Sequence, residues 1–331
     1  MQHDPSNVIQ LRKPALMAHP RTPAEFEIVA VNYHCANVNV DQGHFFEAIS
    51  NAAPLNKWFV RFLQGSPLQH PQWADFSDPS ATTHHSYSIL QDAQEKYLEA
   101  LFDRCNARNH DHGLPMPWID TLARLHTPAR YAFQALQRDS AYGASITPTR
   151  QIALCFALQA ADCLRWLSHT SYRTAELAIN RPEVGFKVNE HARWHAEPAW
   201  QGFRTLQEKC MSTFDWGEHF VALNLVTKPA LEEAGLRQLG LAAHRAGDQL
   251  LALVIDAQLQ DVARHRAWTL ALTRFMLKAA HNRAHIERWI AKWAPEADRA
   301  IEAFCTGLPD SVATAAAAKM SVLAYRSQAL G

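Results

Sequence analysis

The chain has no net charge to work with: 32 Lys and Arg stand against 32 Asp and Glu in 331 residues. Nor is there a basic block, which removes the electrostatic footprint of nucleic-acid binding and any pull toward anionic membranes. Long apolar runs are missing as well. The longest stretch free of charged side chains, for example 28–40, is 13 residues, well below the roughly 20 that a spanning helix requires. Residues 1–23 carry Asp4, two His and several Pro but no apolar run, so they read as an arm that is not exported, not as a signal peptide. Cys35, Cys105, Cys155, Cys163, Cys210 and Cys305 form no Cys-x-x-Cys pair, and this usage fits reduced cytosolic thiols. Gly-x-Gly-x-x-Gly, a phosphate loop and a nucleophile elbow are all absent.

What is present is helical punctuation. Ser88–Phe102 is rich in helix formers, with apolar residues at 89, 90, 97, 98, 101 and 102, a 3.6-residue period that predicts one helix. His110–Pro117 stops it, Pro117 and Pro128 open two short helices, and Gly143 closes the second. Thr149–Asn180 contains neither Gly nor Pro, enough for a single helix about 45 Å long. A second long run, Asp248–His281, sets Leu250, Leu251, Val254, Ala257, Asp261, Val262, His265, Trp268, Thr269, Leu272, Phe275 and Met276 on one stripe. Trp200–Gly235 reads as a helix loosened at Asp215-Trp216-Gly217 and kinked at Pro229. Ala284–Phe304 is one helix or a pair around Pro295.

Strand signal is confined to Glu27–Asn32. Pro54–Pro79 reads as a loop-rich arm whose aromatics, Trp58, Phe59, Phe62, Trp73 and Phe76, lie on another surface. The expectation is an all-α, ferritin-like (ribonucleotide-reductase-like) bundle of long helices over 86–331, with an irregular amino-terminal arm over 1–85.

Ferritin-like bundles often hold two irons with Glu-x-x-His pairs, because residues three apart share a helical face. None of the 16 Glu here has a His three places on. The nearest pattern is Asp41-Gln-Gly-His44, in the arm. The two long helices carry a matched frame instead: Asp162-Cys163-Leu164-Arg165-Trp166 and Asp261-Val262-Ala263-Arg264-His265, 99 positions apart. Taken singly, each Asp-x-x-Arg is an ordinary helix ion pair of a few tenths of a kcal/mol.

Other constellations are weaker. His191-x-x-x-His195 and His281-x-x-x-His285 have zinc-compatible spacing but no neighbouring Cys, and 18 His in the chain make such pairs common. Asp215 and Glu218 flank a Gly at a helix irregularity, which points to a hydrogen-bonded corner over acid–base catalysis. Trp289, Trp293 and Phe304 read as core.

The chain resembles the β subunits of the hydroxylases of bacterial multicomponent monooxygenases, toluene/benzene branch. The stretches that carry the likeness are Ser66–Pro79, Leu90–Tyr97, Pro128–Tyr131, Ala161–Leu177, Phe214–Pro229 and Ile290–Ala303, in order along most of the length. One departure is His84-His85, ahead of Ser86-Tyr87, where the family shows Tyr-Arg. In that family the α subunit carries Asp-Glu-x-Arg-His on two helices, Glu and His binding iron while Asp and Arg support them. Against that pattern Cys163 and Val262 stand at the Glu positions and Trp166 replaces one His, leaving only His265.

The resemblance implies a non-catalytic β subunit of a multicomponent NADH-dependent monooxygenase, an oxidoreductase of aromatic hydrocarbon catabolism, with no catalytic, cofactor or metal residue of its own. It also implies a diiron centre in a partner α subunit and a γ subunit, assembled as (αβγ)2. An effector protein, a Rieske ferredoxin and a reductase complete the system. A related phenol, alkene or alkane monooxygenase, or a free-standing helical metalloenzyme around His265, are the alternatives.

Overall fold

The computed structural model describes residues 54–331. The Glu27–Asn32 strand, Asp41, His44, Cys35 and most of the arm therefore lie outside the described residues. Packing divides the chain between Arg61 and Phe62. Of the first unit the structure describes one short helix, α1 (Pro54–Phe59).

The second unit is helical, with no strand among the described residues. Its elements are α2 (His84–Ala107), α3 (Met116–Thr121), α4 (Ala129–Ser145), α5 (Arg150–Asn180), α6 (Glu190–Ala196) and α7 (Pro198–Met211). An unbroken helical run, α8, follows over 216–245, then α9 (Gln249–Leu277), α10 (Asn282–Cys305) and α11 (Ser311–Leu330). The long helices begin where the sequence supplies caps. The Thr149 hydroxyl accepts from the Ile152 amide at the head of α5, and the Asp248 carboxylate accepts from the Leu251 amide at the head of α9. Every residue of the predicted α9 stripe is buried.

The stretch before α2 has more local order than a loop, with a 3-10 turn at Trp73–Asp75. Its aromatics do lie on another surface: Trp73 meets Trp216 edge-on at 5.1 Å between centroids, and Phe76 meets Phe275 at 5.9 Å.

Four readings are corrected. First, α2 starts at His84, because Thr83 and Ser86 form a reciprocal capping box ahead of the apolar pattern. Its inward face is Tyr87, Gln91, Leu98, Leu101 and Phe102, while Ile89, Leu90 and Tyr97 are 45–59% exposed. Periodicity selects apolar residues, and here the interior asks for a polar Gln. Second, Gly143 does not close α4 but sits buried within it, where a Cβ would lie 2.6 Å from the Phe156 ring of α5. It is a point of close helix approach, and Pro128 is the cap residue before α4.

Third, α8 is not simply kinked at Pro229. It widens into π turns at Val221–Thr227 and Glu232–Gln238, with Lys228–Leu231 between them, and runs on past Gly235 to residue 245. Pro229 has no N–H to offer the carbonyls one turn back. Two side chains of α11 take them instead: Tyr325 Oη donates to Asn224 O at 3.3 Å and Arg326 Nε to Leu225 O at 3.2 Å. Fourth, a further helix, α11, follows the one around Pro295, which is a single helix and not a pair.

Helices α7 and α10 touch almost backbone to backbone: a Cβ on Gly202 would stand 2.6 Å from Ala300 Cα. Backbone cannot yield as a side-chain tip can, so Gly202→Ala is expected to destabilise the protein by about 1–3 kcal/mol. Thermal unfolding of the purified chain measures this, and an unchanged midpoint would refute the close approach.

Candidate functional site

The two Asp-x-x-Arg frames face each other across α5 and α9 and lock into one network. Asp162 and Asp261 are almost fully buried. Arg165 Nη1 donates to Asp162 of its own helix at 3.2 Å and to Asp261 of the other at 3.3 Å. Arg264 reciprocates, donating to Asp261 at 3.2 Å and to Asp162 across the gap. These are crossed braces between helices, not the surface pairs that spacing alone suggests.

Polar side chains of α2 fill the remaining valences. Gln91 Nε2 bridges Asp162 Oδ1 at 2.9 Å and Asp261 Oδ1 at 3.0 Å, and Tyr87 Oη donates to Asp162 Oδ1 at 2.9 Å. Outside them, Arg165 Nε reaches Glu95 at 2.7 Å, and His169 Nε2 meets the same carboxylate at 2.9 Å. This explains the inward Gln91.

Three of the four residues standing where the family pattern puts ligands are buried and committed elsewhere, or have nothing to give. Trp166 Nε1 donates to Asp261 Oδ2 at 3.0 Å, and His265 Nε2 meets Asp162 Oδ2 at 2.8 Å. Val262 is 2% exposed and apolar. Burial pushes the Cys163 thiol well above its ordinary range, away from the thiolate that binds metal. Burial also lowers the His265 imidazole, assisted by the Lys228 charge.

Two charges the sequence reading missed belong here. Lys228 and Glu232, one turn apart on α8, are 3% and 1% exposed and pair with each other. The Lys228 ammonium lies 5.7 Å from the Trp166 ring centroid. Arg266 of α9 holds Glu232 at 3.0 Å and Glu233 at 2.9 Å. Burial works to raise the Glu232 carboxyl, and the Lys228 and Arg266 charges overcome it and hold it below the usual carboxylate range. The signal was Lys-x-x-x-Glu inside an otherwise apolar run. This carboxylate joins Asp162 and Asp261 in the interior, yet it is already neutralised by two cations. An iron pair needs several unengaged carboxylates and imidazoles, and this donor set does not fit one.

The remaining candidates sit apart. The His191 and His195 rings are 4.5 Å apart, with Arg204 on His195 at 3.1 Å, and no third ligating side chain joins them among the described residues. The same holds for His281 and His285. Asp215 caps α8 by accepting from the Glu218 amide at 2.9 Å and from Ser66 Oγ at 3.0 Å, while Glu218 accepts from Trp293 Nε1 at 3.0 Å. Trp289, Trp293 and Phe304 are buried.

The buried charges set a pH dependence. Burial raises the Asp162 carboxyl, but the His265 hydrogen bond and charge, then Arg264 and Tyr87, bring it down to about 2. Asp248 reaches about 2 through His110, Arg173 and Trp118, again against burial. Such depressed carboxyls stabilise the fold above their unfolded value of 3.8 and lose that contribution as pH falls through about 2. His126 behaves differently: burial lowers it from 6.5 to about 4, so only the unfolded chain takes its proton in that interval. Stability is therefore expected to fall first between pH 6.5 and about 4, then again toward pH 2. Urea denaturation across that range tests it; a midpoint unchanged from pH 7 to 4 would contradict it.

A bundle of long helices, its α5 and α9 locked together by crossed, buried Asp–Arg braces, defines a class: a ferritin-like helical bundle. Comparison then gives the family. The chain belongs to the methane/phenol/alkene hydroxylase family, whose model matches residues 58–280. It is 42% identical over 292 residues to the β subunit of the hydroxylase component of the toluene-4-monooxygenase system of Ectopseudomonas mendocina, covering 88% of each chain. A more remote relative is the oxygenase component of phenol 2-monooxygenase from Pseudomonas sp. strain CF600, 23% identical over 79% of this chain and 80% of that one. Among solved structures, one of toluene 4-monooxygenase with toluene in its resting active site aligns with a TM-score of 0.78 at 42% identity, over 86% of this chain and 94% of that chain. A phenol hydroxylase from Pseudomonas sp. OX1 shares the fold, with a TM-score of 0.74 at 17% identity and 81% of each chain covered.

Proposed function

We propose that this chain is the non-catalytic β subunit of an aromatic monooxygenase hydroxylase that acts on toluene, benzene or a related arene. On this reading it holds no iron, and it braces an iron-bearing α subunit that hydroxylates the ring with dioxygen. The supporting observation is the crossed Asp162–Arg264 and Asp261–Arg165 network with Trp166, Val262, Cys163 and His265 around it. A frame that positions ligands is retained, while the ligand positions carry groups that lock the helices together. The long relationship to a toluene-4-monooxygenase β subunit supports the substrate class.

Such a subunit works by shape. Permanent interfaces bury roughly 2,000–5,000 Å² and carry apolar side chains. Helices α2 and α5 present Ile89, Leu90, Tyr97, Leu164, Tyr172 and Ile179 to solvent, side chains of the kind such an interface carries. A rigid backing beneath that face lets it hold a partner in register. The finer reading is an (αβγ)2 assembly served by an effector protein, a Rieske ferredoxin and an NADH-dependent reductase, in the cytoplasm. No described helix is long and apolar enough to cross a membrane. The phenol monooxygenase relative supports a second reading in which the fold and role stay and the substrate is a phenol.

Co-expression with the neighbouring hydroxylase genes tests this. The chain is expected to copurify with a larger partner that carries the iron, and to contain no stoichiometric iron when purified alone. A bridged iron pair within this polypeptide would overturn the reading.

A further inference from the structure

Away from the crossed braces, three side chains with three different donor atoms meet in the core. Asp139 comes from α4, Cys210 from the last turn of α7 and His219 from the first turns of α8. One ligating atom of each lies within 4.8 Å of the others. All three are at most 1% exposed.

Two features of this cluster are unfavourable for a plain core. Neither oxygen of the Asp139 carboxyl has a hydrogen-bond partner in ordinary geometry, and the neighbouring Cys210 thiol is a weak donor, although burying a poorly paired carboxyl is among the costlier things a fold can do. The His219 ring also stands between two backbone carbonyls, Nδ1 at 3.1 Å from Thr213 O and Nε2 at 2.9 Å from Asp139 O. A neutral imidazole has one proton and donates to only one of them. Its other nitrogen then points a lone pair at an oxygen.

We infer that Asp139, Cys210 and His219 form a structural metal site for a zinc-class divalent cation. A cation among these donors removes both anomalies once one of the two carbonyls turns aside to admit it: it occupies the carboxylate and takes the ring lone pair so freed, while the other ring N–H keeps its carbonyl. That arrangement, a ligating His oriented through its second nitrogen, is the one metal sites use. Mixed sulfur, nitrogen and oxygen donors suit zinc over magnesium or calcium.

Charge also balances. Binding displaces one proton from the Cys210 thiol, and the Asp139 carboxyl binds as its carboxylate. The divalent ion with one thiolate and one carboxylate is neutral, as a dry interior prefers. The Thr227 hydroxyl, buried, without a hydrogen-bond partner in ordinary geometry and beside Cys210, is a further oxygen at hand. Full enclosure makes the role structural: the ion ties α4 and α7 to the start of α8, the helix that carries Lys228 and Glu232.

The test uses the full chain, alone and in its complex. Protein made in zinc-replete medium is expected to carry about one zinc per chain, separate from any iron in the complex. Cobalt(II) exchanged into the chain should give tetrahedral d–d bands and a thiolate charge-transfer band. Cys210→Ser should abolish that band, and Cys155→Ser and Cys163→Ser should leave it. If Cys210→Ser does not fold, Asp139→Asn and the wild-type cobalt spectrum decide, since a missing thiolate band or a band lost with Cys163 refutes the site. Wild-type protein that takes up neither zinc nor cobalt also overturns it.

Discussion

Replacing Asp162 with Ala is expected to destabilise the protein by about 3–5 kcal/mol, the range for removing one partner of a buried ionic network. Asp162 receives Tyr87, Gln91, Arg165, Arg264 and His265. Its loss leaves two guanidiniums sharing Asp261, with only 16% of the Arg165 side chain and 13% of the Arg264 side chain open to water. Chemical denaturation of the purified chain reads the loss, and a change below about 1 kcal/mol would show the network to be dispensable. The complex that still assembles should keep its turnover per iron, because the network touches no substrate; reduced turnover in fully loaded complex would argue against a purely mechanical role. Asp261→Ala should act in the same direction and add less than its full effect to Asp162→Ala, since the two share both arginines.

Glu232→Ala should rank beside it, again at about 3–5 kcal/mol, because it strips the fully buried Lys228 of its carboxylate. The contrast lies in the double variant. Lys228→Met with Glu232→Gln removes both charges and keeps the volume, and Arg266 retains Glu233. That pair of changes is expected to lie within about 1 kcal/mol of the parent, as buried ion pairs exchanged for neutral groups often do. Thermal and urea unfolding of the parent, both single variants and the double close the cycle. A double variant as unstable as Glu232→Ala would mean that the ammonium has a use beyond neutralising its partner.

Some of this was legible in the residues and some was not, for identifiable reasons. Helices α5 and α9 declare themselves because a run without Gly or Pro opens on Thr149 or Asp248, whose side chains cap the first turn. The matched Asp-x-x-Arg frames are visible as spacing, but the crossing of Arg165 to Asp261 is a tertiary fact, invisible in either helix alone. The facing of α2 was misjudged because hydrophobic periodicity cannot see an interior that is charged: Gln91 turns inward to serve two carboxylates, and Ile89 and Leu90 are displaced to solvent. Gly143 looks like a terminator until Phe156 is found against it. Helix α11, rich in Ala with Tyr325 and Arg326 among its buried residues, carries little amphipathic pattern to announce itself. Asp139, Cys210 and His219 are 71 and 9 positions apart along the chain, a spacing that matches no ligand motif.

The handover of two α8 carbonyls to Tyr325 and Arg326 ties the order of synthesis to the order of assembly. Translation delivers α8 about a hundred residues before the donors that complete it. Until α11 has been made, the Asn224 and Leu225 oxygens must find their donors elsewhere, and water is the one at hand. Closure of these two carbonyls is thereby reserved for a chain long enough to carry Tyr325 and Arg326.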